Sequence, residues 1–209
     1  MSKFEARVNS QGIDSYFATL TRHLAQTVVT SKVGDTVDLA DSINDVITAA
    51  RDAHSKGNKL IFVGNGGSAS IASHMATDYS KNGNIRALAL NDGAMLTCLG
   101  NDLGYDKVFA KQIQLYAQDG DVVIAISSSG RSANILNAVE AARAAKCMVI
   151  TLSGFTIDNP LRGLGDINFY IASDCYGFVE IGHLTICHAI LDFACGAFVP
   201  VGVAATTAA

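Results

Sequence analysis

Asp121-Val122-Val123-Ile124-Ala125-Ile126 runs directly into Ser127-Ser128-Ser129-Gly130-Arg131-Ser132 and then Ala133-Asn134. Past Asp121 the first segment is apolar at every position. A strand without polar alternation is covered on both faces, the usual state of a parallel sheet flanked by helices. The hydroxyl-rich turn then opens a helix predicted over residues 133–145. The same order recurs on either side. Lys59-Leu60-Ile61-Phe62-Val63 is a short apolar strand that ends in Gly64-Asn65-Gly66-Gly67-Ser68, followed by a helix over about 68–80. Residues 87–90, 147–152 and 167–171 read as further strands. Helix or turn covers 94–99, and helices cover about 106–116 and 178–198. Strand and helix in alternation, joined by right-handed crossovers, predict an α/β fold. Its sheet is open and parallel, with about five strands flanked by helices.

Residues 1–57 read as an N-terminal helical extension. Ile13, Phe17, Leu20 and Leu24 recur at helical spacing, and so do Val37, Leu39, Ala40, Ile43, Val46, Ile47 and Ala50. A break falls around Lys32-Val33-Gly34-Asp35. Ser42-Ile43-Asn44-Asp45 is a weak cap and leaves the second helix's start open. The α/β domain is expected over 58–199 and a flexible tail over 200–209.

The 209 residues carry 15 Lys+Arg and 19 Asp+Glu, a formal charge of −4. Only 16% are charged, against roughly 25% in an average globular chain, and 49% are hydrophobic. That excludes a disordered chain, which needs low hydrophobicity and high charge. It also argues against a nucleic-acid binder held by phosphate contacts. No unbroken apolar run approaches the length of a membrane span. Cys98, Cys147, Cys175, Cys187 and Cys195 are odd in number, include no CxxC, and read as reduced, mostly buried thiols. The first residues lack the apolar core of a signal peptide, and a cytoplasmic protein is expected.

Two turns carry the chemistry. The Gly-rich turn after 59–63 brings backbone N–H groups to a helix N-terminus, a place that favours an anion. It is neither G-x-G-x-x-G nor a P-loop, and no acidic residue about twenty positions on waits for a ribose. The turn 127–132 sets four serine hydroxyls within six residues at a second helix start. That makes a phosphate cradle with little fixed positive charge. Both turns stand at the carboxyl ends of parallel strands, where open α/β sheets bind ligands.

Three segments together resemble the sugar isomerase (SIS) domain family, and more closely its phosphoheptose isomerase branch. They are Gly64-Asn65-Gly66-Gly67-Ser68, Gly100-Asn101-Asp102-Leu103-Gly104-Tyr105 and Ile126–Asn134. The resemblance implies a flavodoxin-like three-layer α/β/α domain. The implied activity is aldose–ketose isomerisation of sedoheptulose 7-phosphate to glycero-manno-heptose 7-phosphate, in a homotetramer. It implies that Ser127, Ser128, Ser129 and Ser132 bind the sugar phosphate. Asn65, Gly66, Ser68, Asp92 and Glu180 would contact the substrate. His74, Asp78, Glu180 and His188 would hold Zn2+, with Asp78 and His188 as the acid/base pair. No direct nucleic-acid or membrane partner is implied. The branch also contains a replication-initiation regulator, so a non-catalytic phosphosugar-binding or interaction module is the alternative.

The residues agree in part. His74 and Asp78 are four apart and share a helix face. Two histidines and two carboxylates have the donor chemistry of a divalent metal site. His183 reads as a hydrogen-bonded core residue, and His23 and His54 as surface residues. The chain departs from the family pattern around the sugar end. Asp78 replaces a glutamate, Glu180 a glutamine, Ile181 an acidic residue and Asn82 a basic one, and Ala69 follows Ser68. The phosphate end is kept.

Overall fold

The structure is a computed structural model and describes residues 8–198. The expected tail at 200–209 lies outside the described residues.

Seven strands form one sheet: β1 (Val28–Ser31), β2 (Thr36–Val37), β3 (Leu60–Gly64), β4 (Ala87–Ala89), β5 (Val122–Ser127), β6 (Met148–Ser153) and β7 (Ile167–Tyr170). Their order is β2-β1-β7-β6-β5-β3-β4. The five strands from β3 to β7 are parallel, as the apolar runs predict. The other two correct the reading of residues 1–57 as wholly helical. The break around 32–35 is a hairpin turn, and β1 adds antiparallel to β7. Val37 therefore belongs to β2, not to the helix that follows.

Among the described residues seven α-helices complete the fold: α1 (Ser10–Ala25), α2 (Leu39–Ser55), α3 (Gly67–Lys81), α4 (Gly93–Leu103), α5 (Val108–Tyr116), α6 (Ala133–Ala144) and α7 (Tyr176–Cys195). The start of α2 is set by Asp38, whose Oδ1 accepts from the N–H groups of Ala40 and Asp41.

Strand residues alternate between two cores, because successive side chains point to opposite faces. Leu60, Phe62, Ile124, Ile150 and Phe169 face α2, α3 and α7. Ile61, Val63, Val123, Ala125 and Val149 face α5 and α6, with α4 at the edge. The sheet is thus covered on both sides. At its amino-terminal edge, fully buried Asp121 ties β3 to β5. It accepts from Asn58, from the Lys59 backbone and from the Lys59 ammonium at 2.6 Å.

The last helix, α7, has the length and apolarity of a bilayer span. Here it is a core helix packed along α2 and α3. No cysteine is paired, but only Cys147 and Cys187 are buried. Burial pushes their thiols up to about 11 and about 12. Cys98, Cys175 and Cys195 are exposed in the single chain, which corrects the expectation of mostly buried thiols.

Candidate active site

From β3 the chain steps outward to β4 and then returns to the other side of β3 for β5. The connections after β3 and β5 therefore diverge and leave a crevice at the carboxyl ends of the strands. The two turns singled out in the sequence line this crevice, a cavity of about 230 Å³ closed by Tyr176 and Glu180 of α7.

Three helices begin at this cavity, and none has a side-chain cap. The N-caps of α3, α6 and α7 are Gly66, Ser132 and Cys175, and none of their side chains accepts from its own helix. By contrast α1, α2 and α4 are capped by Asn9, Asp38 and Asp92. Backbone bonding in α3 starts with Ala69 donating to Gly66, and in α6 with Ile135 donating to Ser132. The N–H groups of Ala133 and Asn134 at the start of α6 have no intrahelical partner, while the start of α3 lies under the Glu180 carboxylate. Gly66 makes the turn possible: its φ of 54° with ψ of −120° is a conformation only glycine adopts readily.

The serine turn is held in shape from below. Gly130 has a φ of 61°, and a methyl there would overlap Oδ1 of buried Asn159. The Gly130 N–H donates to Ser127 Oγ at 3.2 Å, which itself lies 3.3 Å from Ser132 Oγ. Ser129 Oγ accepts from the Arg131 N–H. The Arg131 guanidinium turns to Thr156 and Asp158, so the turn's cation is used elsewhere. No lysine, arginine or histidine lines the cavity among the described residues. The groups this cavity offers an anion are hydroxyls and a helix N-terminus.

Asn65 is more engaged than the sequence indicates. Its amide exchanges two 2.8 Å hydrogen bonds with the Asn134 amide, and its Oδ1 also accepts from the Tyr105 hydroxyl. The three motifs thus meet at one point. Tyr105, Asn134 and Tyr176 have no role in the sequence reading. The first two end the quoted motifs, which was their only signal. Asp92 stands apart from the cavity. It caps α4 through Met95 N–H and faces a separate apolar groove with Cys98 and Tyr116.

His74, Asp78 and His188 converge, with one ligand atom from each within 4.8 Å of the others. The two Nε2 atoms are 3.1 Å apart, and His74 Nε2 is 3.5 Å from Asp78 Oδ2. Glu180 is not in this cluster. It precedes His188 by eight residues on α7, about 12 Å of rise. Instead its carboxylate lies over Gly67, 2.5–2.6 Å from where a Cβ would stand. The cluster sits roughly 9 Å along α3 from Ser68.

His183 is fully buried. Ser153 O can only accept, so Nε2 carries the proton and donates to it at 3.0 Å, while Nδ1 has no partner. Desolvation lowers its pKa to about 4, although the bond to Ser153 opposes this.

Comparison with known proteins shows the family. The SIS domain family matches residues 16–154. A phosphoheptose isomerase of Citrifermentans bemidjiense is 34% identical over 161 residues, covering 74% of this chain and 83% of that protein. One of Geotalea uraniireducens is 37% identical over 186 residues, covering 86% and 95%. The solved phosphoheptose isomerase of Neisseria gonorrhoeae superposes with a TM-score of 0.76 at 28% identity, covering 88% and 98%. With its crevice, its serine cradle and these relatives, the chain belongs to the SIS domain family, in its phosphoheptose isomerase branch.

Proposed function

We propose that this phosphosugar isomerase interconverts sedoheptulose 7-phosphate and glycero-manno-heptose 7-phosphate. The carrying observation is the cationless cradle of four serine hydroxyls and the uncapped N-terminus of α6 at the β3/β5 crevice. It fits one phosphate on a neutral polyol. The relatives' names supply the heptose.

Isomerisation moves a proton between C1 and C2 through an enediol, which needs an acid/base pair and stabilisation of the developing oxyanion. The cradle anchors the phosphate and fixes the register of the carbon chain. Asp78 and His188 serve as the pair that removes and returns the proton. Two imidazole nitrogens 3.1 Å apart beside a carboxylate also fit a zinc ion, whose tetrahedral ligand atoms stand about 3.3 Å apart. His74, Asp78 and His188 would hold such an ion, which would polarise the carbonyl oxygen, and an Asp78 or His188 atom so engaged would not be the free base. Glu180 is not among its holders within one chain. The enzyme is taken to be a cytoplasmic homo-oligomer, a tetramer by its resemblance, with exposed apolar residues on α1 as support.

The test is turnover of sedoheptulose 7-phosphate, with metal content measured on protein purified without chelator. Ser129→Ala is expected to raise KM about tenfold or more, since a lost donor to an anion is worth roughly 1.5–3 kcal/mol. Asp78→Asn is expected to lose turnover at least a hundredfold. Retained zinc in that variant assigns Asp78 to the base role, and lost zinc assigns it to the metal. No turnover by wild type of this or any aldose or ketose phosphate would sink the reading.

A further inference from the structure

Glu180 is out of place in a cavity built for a phosphate. On the β5 side stand the serine hydroxyls and the N-terminus of α6. On the β3 side the Glu180 carboxylate lies flat over Gly67, the first residue of α3. Any side chain at position 67 would displace it. Among the described residues Glu180 makes no ion pair, and no cation lines the cavity to neutralise it. The positive end of the α3 dipole favours a carboxylate where Glu180 sits. One of the cavity's anion-favouring helix ends is therefore already taken by the protein's own charge.

We infer that Glu180 is a charge filter. It confines the phosphate to the serine side and requires that the rest of the ligand offer hydroxyl donors and no second anion. The inference rests on the phosphosugar reading of this cavity and adds the substrate class: sugar monophosphates are accepted, and sugar bisphosphates are rejected. Two physical terms act together. A carboxylate only accepts hydrogen bonds, so sugar hydroxyls satisfy it and a second phosphate does not. A second anion in a cavity of about 230 Å³ also meets Glu180 at short range, where like charges repel. The nearby hydroxyls cannot offset that repulsion, because the cradle already serves the first phosphate.

The experiment compares sedoheptulose 7-phosphate with sedoheptulose 1,7-bisphosphate by calorimetric titration of the full chain, wild type and Glu180→Gln. Glutamine keeps the shape and removes the charge. Wild type should bind the monophosphate at least tenfold more tightly. Glu180→Gln should bring the ratio to within about threefold, chiefly by gaining affinity for the bisphosphate. Should the variant not fold, the wild-type ratio alone decides, measured between low and high salt. A ratio set by repulsion shrinks with ionic strength, and one set by shape does not. Equal binding of the two ligands by wild type, a ratio unchanged in Glu180→Gln, or a salt-independent ratio overturns the filter and leaves the phosphosugar reading intact. Failure of both ligands to bind overturns both.

Discussion

His183 shows how one residue's surroundings override its usual chemistry. It lies in α7 between Glu180 and His188, yet it is sealed in the core, and burial holds its pKa near 4. Its folded pKa is below the ordinary value of about 6.5 for an unfolded chain. The unfolded chain therefore takes up a proton first as pH falls. The stability that neutral His183 confers is full above about pH 6.5 and is lost as pH falls toward 4. Between pH 7.5 and 5 the loss is on the order of 2 kcal/mol. His183→Gln, which keeps a donor for Ser153, should be less stable than wild type at pH 7.5. The gap in urea unfolding should narrow by about that amount at pH 5. A gap independent of pH contradicts the assignment. The place of the serine turn was readable from the sequence, between an apolar strand and a helix start that the structure puts at β5 and α6. Asn65 was not. Its amide reads as a free ligand donor until Asn134 and Tyr105 are seen to hold it.

At the scale of elements, long periodic segments were legible and short ones were not. The five parallel strands follow from the alternation of strand and helix, several of the strands being unbroken apolar runs. The β1–β2 hairpin does not, because strands of four and two residues carry too few side chains to show a period. Its partner, β7, lies more than a hundred residues away in the chain. The start of α2 was left open in the sequence because the apolar pattern begins at Val37, in β2, and runs across the capping residue. Asp38 accepts two backbone N–H groups. Asp38→Ala should lower stability by about 1 kcal/mol in chemical denaturation, while Asp38→Asn should cost much less. Equal losses in both would mean that the cap is not what matters there. Three of the helices without a side-chain cap, α3, α6 and α7, begin at the crevice.

The whole molecule gives the surplus of apolar residues two destinations. Most of it fills the cores on either face of the sheet. The rest is exposed on the single chain, most plainly on α1, which buries no residue completely. Ile13, Tyr16 and Phe17 are 43%, 44% and 59% exposed on that helix. An apolar stripe on an outer helix is what a second copy would cover. Phe17→Glu is expected to shift the sedimenting species to a smaller multiple of the 21.8 kDa chain. Unchanged sedimentation, or a monomeric wild type, would remove α1 from the interface. The sequence by itself determined the parallel sheet and the two turns at the carboxyl ends of its strands. Each of these is local: a run of apolar residues or a dense group of hydroxyls speaks for itself. Only the tertiary structure decided which distant groups meet. It separated Glu180 from the His74–Asp78–His188 cluster, because eight residues of helix place them about 12 Å apart. It set Glu180 against Gly67 across the crevice, a contact between α7 and α3 that no spacing along the chain encodes.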